Sequence, residues 1–516
     1  MAATRPAKRP ARAAKPKGKS PARKAHAKPA ARSAAKAMAK ASLKRPKAAA
    51  KVIAKRPGKP AKPLTKAAAK AAAKGQAKAA RPARRHVIVG AGTAGINAIR
   101  TLRQLGGTGE ITLVAAERPY SRMVLPYYLD GSIGAAHAGT ASPTHLERWG
   151  VKALFGRRAA GLDTAAGKLK LDNGDEVPYD DLLIATGSSA ARPPVPGADA
   201  PGVHSFWTLA DAEGLSRAIA PNSHVVMVGA GFIAFTILGG IMQRAGRVTI
   251  VEVASRILPR MIDDAGAALV GQWLQAKGVT LRAGTTLQSI QSKGGKPSLA
   301  LAGGGTLDCD AVVMATGIRP NLEWLKGSPV QVNHGIVVDD RLRSSVPNVY
   351  AAGDVAEAKN LIGGAREVHA IEPTAMDHGR VVGANMAGKD VRYAGSLLMN
   401  IVSVAGLDIA SFGAWDDPQA EVITGHAPAR HAYRKYLFRG ERLVGAILVS
   451  PNAETWSGND LGMLKGLVQA GRPLGAWKAW LRQNPFDIKK PYLAGRTVSA
   501  LLPHTTLGQA SPSPRE

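Results

Sequence analysis

Cysteine is almost absent from this sequence, and its scarcity limits the chemistry that the chain can perform. The single thiol, Cys309, excludes an internal disulfide, a redox centre made of two cysteines and a cysteine-rich metal site. Histidine and cysteine clusters of the kind that hold iron–sulfur centres are also missing. The sequence has no run of eighteen or more apolar residues, so a membrane-spanning helix is not expected.

Acidic residues are missing from the first 85 residues, which contain 28 Lys and Arg. The rest of the chain has 42 basic and 36 acidic residues, so it holds only +6 of the total net charge of +34. This Lys/Ala/Pro-rich segment has few large apolar residues and is predicted to be a disordered basic tail. Binding to nucleic-acid phosphates is the favoured role. A solvated linker, a start codon assigned too early and a targeting peptide are the alternatives.

The stretch 86–117 has the order of a dinucleotide-binding unit. A short apolar run predicts a buried strand, and Gly90, Gly92 and Gly95 then form G-x-G-x-x-G at the start of a predicted helix. A second apolar run follows, with Glu117 just beyond it. The three glycines allow a tight turn, close approach of a pyrophosphate and close packing of helix on strand. The free N–H groups at the helix N-terminus attract phosphate.

The same pattern recurs in the stretch 224–252. Gly229, Gly231 and Ala234 form G-x-G-x-x-A, and Glu252 lies 23 residues beyond the first glycine. An acid at about this distance binds the ribose 2′-hydroxyl and repels a 2′-phosphate, which favours NADH over NADPH. Arg256, a cation close by, argues the other way. The repetition predicts an α/β fold with two Rossmann-like three-layer dinucleotide-binding domains.

Five motifs stand in order along the chain: GAGTAG, IATG, GAGFIA, ATGIRPN and VYAAGDVAEA. With them, residues 85–490 resemble the two-dinucleotide flavoproteins of the pyridine nucleotide–disulfide oxidoreductase superfamily. The resemblance implies FAD in the first unit and NADH in the second. The residues implied for FAD are Gly90, Gly92, Gly95, Glu117, Arg122, Thr186, Gly187, Gly353, Asp354, Pro373, Thr374 and Ala375. Those implied for NADH are Gly229, Gly231, Phe232, Ala234, Glu252, Thr316 and Gly317.

Three of these residues have two interpretations each. Asp354 matches an acid that binds the ribityl–pyrophosphate region, and as Asp after Gly it also suits a helix N-cap. Phe232 matches an aromatic residue that covers the flavin until nicotinamide displaces it, or is an ordinary apolar residue at a helix start. Arg122 would stabilise negative charge on the reduced flavin, or is a surface arginine. Arg122 and Phe232 are the catalytic candidates, and no general base is assigned.

The segment MVLPYYLDG resembles the CGLPYYIGG of coenzyme A disulfide reductases, but Met123 stands at the cysteine position. A thioether cannot form a thiolate, so thiol-based chemistry is disfavoured. The preceding PYSR resembles the thiol-free branch, which includes rubredoxin and ferredoxin reductases and the flavin modules of NADH–nitrite reductases. Thr236 replaces a glutamate of many relatives, so their ion pair is not carried over. Cys309 is predicted to lie in a buried strand.

The resemblance and the composition together divide the chain into six parts. The C-terminal part has alternating segments, a predicted hairpin across Arg439 and Gly440, and a helix from Asp460. It resembles an α+β interface domain, which implies a homodimer. The predicted parts are a basic tail 1–85, an FAD-binding domain 86–204 and 331–390, an NAD(P)H-binding domain 205–330, an interface domain 391–490, and a disordered tail 491–516.

The favoured function is an FAD-dependent NADH:acceptor oxidoreductase that works without a protein thiol. The acceptor is left open between a small redox protein, a quinone, a metal complex and oxygen. A basic tail would attract an acidic redox protein. The alternatives are an NADH oxidase or disulfide reductase-like enzyme, and a nucleic-acid-associated redox flavoprotein. A cytoplasmic location is expected, with nucleoid association under the last alternative.

Overall fold

The computed structural model describes residues 83–453 and 455–497, all within the unit formed by residues 81–516. Nearly all of the predicted basic tail and most of the predicted C-terminal tail lie outside the described residues. In the described part, no helix is long and apolar enough to cross a membrane.

The first nucleotide-binding region is built on a parallel sheet in which β1 pairs with β2 and β7, and β2 pairs with β3. A three-stranded antiparallel sheet, β4–β5–β6, lies between β3 and β7 in the chain. The elements of this region are β1 Arg85–Val89, α1 Thr93–Gln104, β2 Glu110–Ala115, α2 Leu125–Leu129, α3 Pro143–Arg148, β3 Val151–Phe155, β4 Ala159–Asp163, β5 Lys168–Leu171, β6 Glu176–Pro178, β7 Asp181–Ile184 and β8 Ser188–Ala190.

The second region repeats this plan, with a parallel sheet in the order β12–β11–β10–β16–β9. Its central strands β10 and β16 are buried along their whole length and almost wholly apolar, as expected for strands covered on both faces. Its elements are β9 Val203–Ser205, α4 Leu209–Ala218, β10 His224–Val228, α5 Phe232–Arg244, β11 Arg247–Val251, α6 Asp264–Ala276, β12 Val279–Arg282, β13 Leu287–Lys293, β14 Lys296–Leu301, β15 Thr306–Asp308, β16 Ala311–Met314 and β17 Ile318–Pro320.

The chain then returns to the first sheet, where β19 adds to β7 in parallel and gives the order β19–β7–β1–β2–β3. The second region is therefore an insertion into the first. The predicted fold class, with two Rossmann-like domains, is confirmed. The returning elements are β18 Ile336–Val337, β19 Val349–Ala351, β20 Ala356–Lys359, β21 Arg366–Glu367 and α7 Glu372–Met386.

The C-terminal region is an antiparallel sheet in the order β22–β23–β26–β25–β24, followed by helices. One face packs with the apolar core of the second region, and the other face packs under α8. Its elements are β22 Met399–Val404, β23 Leu407–Gly413, β24 Glu421–Ala427, β25 Ala432–Arg439, β26 Arg442–Pro451, α8 Thr455–Ala470, α9 Ala476–Gln483 and α10 Lys489–Ala494.

Several predicted boundaries differ from the observed ones. Arg85 belongs to β1 and pairs with Asp180 at 2.7 Å, so a cation assigned to the tail by composition is neutralised inside the domain. The second sheet begins with β9, so the predicted 204/205 boundary falls inside a strand. Helix α8 begins before the predicted Asp460, because packing on β26 outweighs the weak helix propensity of Gly458 and Asn459. Helix α10 extends past residue 490.

The predicted hairpin is confirmed, since β25 ends at Arg439 and β26 starts at Arg442. The sheet that contains it is tied to the second region by polar contacts as well as apolar ones. Asp263, the N-cap of α6, accepts a hydrogen bond from Tyr433 at 2.8 Å and pairs with Lys435 at 3.1 Å. These contacts fix the second sheet against the C-terminal one.

Candidate functional site

The two glycine-rich turns lie at the carboxyl ends of β1 and β10, where an open α/β sheet binds its ligands. The first glycine of each turn has positive φ, +115° at Gly90 and +98° at Gly229. A Cβ there would lie 2.0 Å from the Ala185 carbonyl oxygen in the first turn and 2.4 Å from that of Ala315 in the second. Only glycine fits this close approach, which also brings each turn against the A-T-G segment that follows β7 or β16.

The second glycine of each motif lies at the N-terminus of a helix and faces open space. Gly92 and Gly231 are the N-cap residues of α1 and α5, and no described side chain caps either helix. Among the described residues, no atom lies within 4 Å of where a Cβ on either glycine would stand. Each helix therefore presents free N–H groups to a space that fits a pyrophosphate.

The third position differs between the two turns. A Cβ on Gly95 would lie 2.0 Å from the carbonyl oxygen of Gly90, so helix α1 packs directly on its own turn. Ala234 holds the same position in α5 with its methyl group fully buried. The first turn is therefore tighter than the second.

The acids that follow the second strand of each unit have different surroundings. Glu252 is 7% exposed, and its carboxylate accepts hydrogen bonds from the backbone N–H groups of Ala230 at 2.6 Å and Ala254 at 2.8 Å. The side chain of Glu117 is 40% exposed. Its carboxylate accepts hydrogen bonds from Tyr120 Oη at 3.0 Å and Arg122 Nη2 at 3.4 Å.

Arg256, the cation that argued for NADPH, is already bound within its own loop. Its guanidinium donates to the carbonyl oxygens of Ile262 and Pro259 and pairs with Asp264 at 3.1 Å. Because these three contacts occupy its guanidinium, Arg256 is not a free ligand for a 2′-phosphate.

Arg122 lies between the first turn region and the start of the second domain. It donates to the Trp207 carbonyl oxygen at 3.0 Å, and its guanidinium lies over the rings of Tyr120 and Trp207. Its Nη1 is 4.0 Å from where a Cβ on Gly187 would stand. Burial raises the pKa of the Tyr120 hydroxyl to about 12, so that group stays protonated near neutral pH. The arginine is thus held by specific contacts and is only partly exposed.

Asp354 lies near Arg122, within the 3₁₀ turn Gly353–Val355. The N-cap of this turn is Ala352, so the N-cap interpretation of Asp354 is wrong. Its carboxylate instead accepts a hydrogen bond from Ser188 Oγ at 2.6 Å. Burial raises the pKa of Asp354, while the Ser188 hydrogen bond and the Arg122 charge oppose that shift.

Helix α7 begins beside Gly353 and packs on α1. A Cβ on Gly353 would lie 3.3 Å from the Cβ of Ala94 and 3.6 Å from that of Ala375. The start of α1, the Gly353 turn and the start of α7, which all carry residues implied for FAD, therefore meet. Thr374 is buried and Pro373 is exposed at the start of α7. No described side chain caps this helix.

Thr186 and Thr316 lie where the two domains are joined. Strands β8 and β17, which follow the A-T-G segments, form an antiparallel pair. Thr186 Oγ1 donates to the Asn321 carbonyl oxygen at 3.0 Å, and Thr316 Oγ1 donates to that of Ala191 at 2.7 Å. Each threonine therefore bonds to a segment of the other domain. Gly187 and Gly317 both have positive φ in these turns.

Phe232, Met123 and Thr236, also named from the sequence, have three different surroundings. Phe232 is the first residue of α5 and packs against the core that the second and C-terminal regions share. Met123 is 49% exposed in the 3₁₀ turn Arg122–Val124. Thr236 Oγ1 donates to the Ile233 carbonyl oxygen in its own helix at 2.7 Å.

Cys309 is inert in this fold. It lies in the link between β15 and β16 rather than in the predicted strand, but it is only 4% exposed. Its Sγ donates to the Pro297 carbonyl oxygen at 3.6 Å, and burial raises the pKa of the thiol to about 12. A thiol with this pKa has almost no thiolate near neutral pH.

Three side chains at this site were not predicted from the sequence. Ser188 holds Asp354, and His378 Nδ1 accepts the N–H of Gly353 at 3.2 Å. Glu372 Oε1 accepts hydrogen bonds from Thr93 at 3.0 Å and Ser121 at 3.1 Å, so it joins α7 to α1 and the loop before Arg122. The available signal was their nearness to assigned positions, since Ser188 follows Gly187, and Glu372 and His378 lie within three residues of the segment 373–375.

Comparison with known proteins agrees with this geometry. Residues 84–379 match the family model described as pyridine nucleotide-disulphide oxidoreductase. The chain belongs to this family. Residues 399–454 match the rubredoxin NAD+ reductase C-terminal domain.

Two relatives and one solved structure are similar to this chain over most of their own length. The chain is 32% identical over 366 residues to the NADH-dependent phenylglyoxylate dehydrogenase subunit epsilon of Aromatoleum evansii, covering 69% of this chain and 86% of that protein. It is 33% identical over 285 residues to the rubredoxin-NAD(+) reductase of Pseudomonas putida, covering 54% and 73%. The solved ferredoxin reductase for the CYP199A2 system of Rhodopseudomonas palustris superposes with a TM-score of 0.71 at 25% identity, covering 79% of this chain and 99% of that one.

As a member of this family, the chain is an FAD-dependent NAD(P)H oxidoreductase. The open, uncapped N-termini of α1 and α5 fit the two pyrophosphates that FAD and NADH bring. In the described residues, no group of His, Cys, Asp and Glu side chains is arranged to hold a metal ion.

Proposed function

We propose that this chain passes electrons from NADH to a small redox protein without using a protein thiol. The observation that supports it most directly is the state of Cys309, which is buried with a raised pKa, while Met123 stands on the loop next to Arg122. When bound, FAD accepts hydride from NADH and can release the electrons singly. The residues of the chain bind and orient the two nucleotides.

The first unit is proposed to bind FAD. The N–H groups at the start of α1, beyond Gly92, would receive the pyrophosphate, and Asp354 would accept a ribityl hydroxyl. Glu117 would accept a hydrogen bond from the adenosine ribose, either beside its hydrogen bonds from Tyr120 and Arg122 or in place of them. The N-terminus of α7 from Pro373 to Ala375 would face the pyrimidine ring, where its dipole favours negative charge.

Arg122 is proposed to lie by the flavin rather than on the free surface. Its hydrogen bond to the Trp207 carbonyl oxygen and its stacking over the rings of Tyr120 and Trp207 hold the guanidinium in place, and its charge acts on the carboxylate of Asp354. A fixed cation at this position would stabilise negative charge that develops on the reduced ring.

The second unit is proposed to bind NADH in preference to NADPH. Glu252 is held at the end of β11 by two backbone N–H groups, so its negative charge stands near the expected ribose and repels a 2′-phosphate. Arg256 is bound within its own loop and does not offset that charge. Phe232, at the first position of α5, is proposed to cover the flavin until nicotinamide binds.

The acceptor is proposed to be a small redox protein because two of the similar proteins carry names of that kind, a rubredoxin reductase and a ferredoxin reductase. The C-terminal region, matched to a rubredoxin reductase domain, supports the same class. Oxygen as the acceptor is the oxidase alternative, and it is an outcome of the same assay.

The deciding experiment is an anaerobic titration of the purified protein with NADH, followed by flavin absorbance, with NADPH in a parallel cuvette. One equivalent of NADH is expected to bleach the flavin band, and NADPH is expected to act more slowly. The reduced protein is then mixed with rubredoxin, ferredoxin or air, and the rates of reoxidation are compared. A protein that NADH cannot reduce would contradict the proposal, and fastest reoxidation by air would favour an oxidase.

The basic segment supports a second proposal, association with nucleic acid through residues 1–85. The 26 cations of residues 1–82 would release counterions from a polyphosphate, and binding would fall steeply with salt, whereas Arg84 and Arg85 pair with Asp181 and Asp180. Retention on DNA at low salt that disappears when residues 1–82 are deleted is expected. Equal retention of the shortened protein would contradict this role. The homodimer and the cytoplasmic, nucleoid-associated location stay predictions.

A further inference from the structure

The segment Gly353–Asp354 is held from two sides by groups outside the glycine motifs. Ser188 Oγ donates to Asp354 Oδ2 at 2.6 Å. The Gly353 N–H donates to His378 Nδ1 at 3.2 Å, and this hydrogen bond is buried. Ser188 therefore fixes the side chain of the acid, and His378 fixes the backbone that bears it.

His378 lies on α7 and is 1% exposed. Burial lowers the pKa of its imidazole to about 3, so the ring is neutral at physiological pH. Because Nδ1 accepts a hydrogen bond, the proton must lie on Nε2. The ring packs edge-on against Tyr393 with centroids 4.6 Å apart, and Nε2 has no hydrogen-bond partner among the described residues.

A buried histidine with an unpartnered nitrogen is costly compared with an apolar residue of similar size. What the imidazole supplies in return is the acceptor for the Gly353 N–H, which would otherwise be a buried donor without a partner. Gly353 has φ of +75° and is packed between α1 and α7, so its amide has a fixed direction. The acceptor acts on that one peptide unit.

We propose that His378 is a positioning residue for the flavin nucleotide: its Nδ1 holds the Gly353 peptide so that Asp354 points toward the ribityl–pyrophosphate region of FAD. This inference rests on the proposed assignment of FAD to the first unit. His378 does not touch the nucleotide itself, and acts through the Gly353–Asp354 backbone.

The test compares three variants of the full chain, His378→Asn, His378→Gln and His378→Leu. An asparagine Oδ1 stands near the place of imidazole Nδ1 and keeps the acceptor, although it leaves a cavity. Glutamine keeps most of the volume but places its amide near Nε2, and leucine has no acceptor. The flavin is removed, and the dissociation constant for FAD is measured by fluorescence quenching, together with the melting temperature of the flavin-free protein.

His378→Gln and His378→Leu are expected to weaken FAD binding about tenfold or more, since a buried donor is left unpaired. His378→Asn is expected to stay within about threefold of the unchanged protein, because it keeps the acceptor although its cavity lowers the melting temperature. A purely structural role predicts instead that FAD affinity follows the melting temperature across the three variants.

Equal FAD affinity in the Gln variant and the unchanged protein would overturn the inference, as would an Asn variant that binds FAD no better than the Gln variant. Failure of the proposed function has a different signature, because the unchanged protein would then bind no FAD or would not be reduced by NADH. Unchanged protein that binds FAD and is reduced by NADH, with all three variants matching it, would contradict only the role of His378.

Discussion

In the second nucleotide-binding half, Glu252 is almost fully buried and receives two backbone hydrogen bonds, whereas in the first half Glu117 is partly exposed and receives two side-chain hydrogen bonds. Each acid follows the second strand of its own βαβ unit, Glu252 directly after β11 and Glu117 two residues after β2. Glu252 is part of the framework that holds its glycine turn, and Glu117 belongs to a partly exposed cluster of side chains. Two acids with the same predicted role thus have unequal surroundings.

The glycine turns differ in the same sense. In the first half the helix starts in contact with its own turn at Gly95, and in the second half Ala234 fills that position. In the first half, the helix contacts its turn closely and the acid is partly exposed. In the second half, the contact between helix and turn has room for a methyl group, and the acid is buried and bonded to the backbone. Paired substitutions at matching positions can test this contrast.

The largest effect is expected from Gly95→Ala. Its new Cβ would lie 2.0 Å from the Gly90 carbonyl oxygen, so helix and turn must separate, at a cost of about 3 kcal/mol and with loss of bound flavin. The matched control, Ala234→Gly, should cost about 1 kcal/mol through helix propensity and a lost methyl group. Urea unfolding and flavin content measure both. Equal costs for the two variants would remove the proposed difference between the turns.

The next effect concerns ligand assignment. Gly92 and Gly231 have φ of −74° and −82°, which any residue adopts, and both face open space. A carboxylate in Gly92→Asp should cap α1 and weaken FAD binding about hundredfold by charge repulsion, with the fold intact. Gly231→Asp should retain flavin that dithionite reduces but NADH reduces poorly.

The readouts for this pair are flavin absorbance after gel filtration and the rate of anaerobic bleaching. Circular dichroism checks that both variants are folded. Loss of flavin in Gly231→Asp together with normal flavin in Gly92→Asp would show that the two nucleotides are assigned to the wrong halves.

A smaller difference is expected when the two acids are removed. Glu252→Ala leaves the N–H groups of Ala230 and Ala254 without their acceptor and should lower the free energy of unfolding by about 2 kcal/mol. Glu117→Ala should lower it by about 0.5 kcal/mol, because that carboxylate is partly exposed. Urea unfolding of the flavin-free proteins gives both values. If Glu117→Ala lowered the free energy of unfolding as much as Glu252→Ala or more, the proposed difference between the two acids would be wrong.

The smallest effect is expected at Cys309, which stands where the first half has Tyr179, two residues before the equivalent strand. Both side chains are buried, so the position serves packing in each half. Cys309→Ala should leave the rate of flavin reduction by NADH unchanged. In the unchanged protein at pH 8, iodoacetamide should modify the thiol only after unfolding, because burial raises its pKa to about 12. Fast modification of folded protein, or loss of reduction in the variant, would show that the thiol takes part.

Much of the fold could be predicted because its signals are local. Apolar strands, glycine turns and the repeat of the whole unit depend on neighbouring residues, and the observed strand His224–Val228 begins where the second predicted unit begins. The predicted boundaries at Arg85 and at the start of α8 were wrong. The ion pair between Arg85 and Asp180 decides the first, and packing on β26 decides the second. In both cases the partner lies in another element, so the local sequence does not show it.

The sequence by itself predicted two nucleotide-binding turns in outline, since the spacing of Gly90, Gly92 and Gly95 and its repeat at Gly229 are typical of a turn whose backbone binds phosphate. It also determined that no cysteine pair takes part. Only the tertiary structure decided which side chains hold the site together: Glu372 joins three segments, Arg256 is bound in its own loop, and His378 meets Gly353. These contacts join residues that are distant in the chain or close only through a turn, so the order of residues along the chain does not reveal which side chains meet.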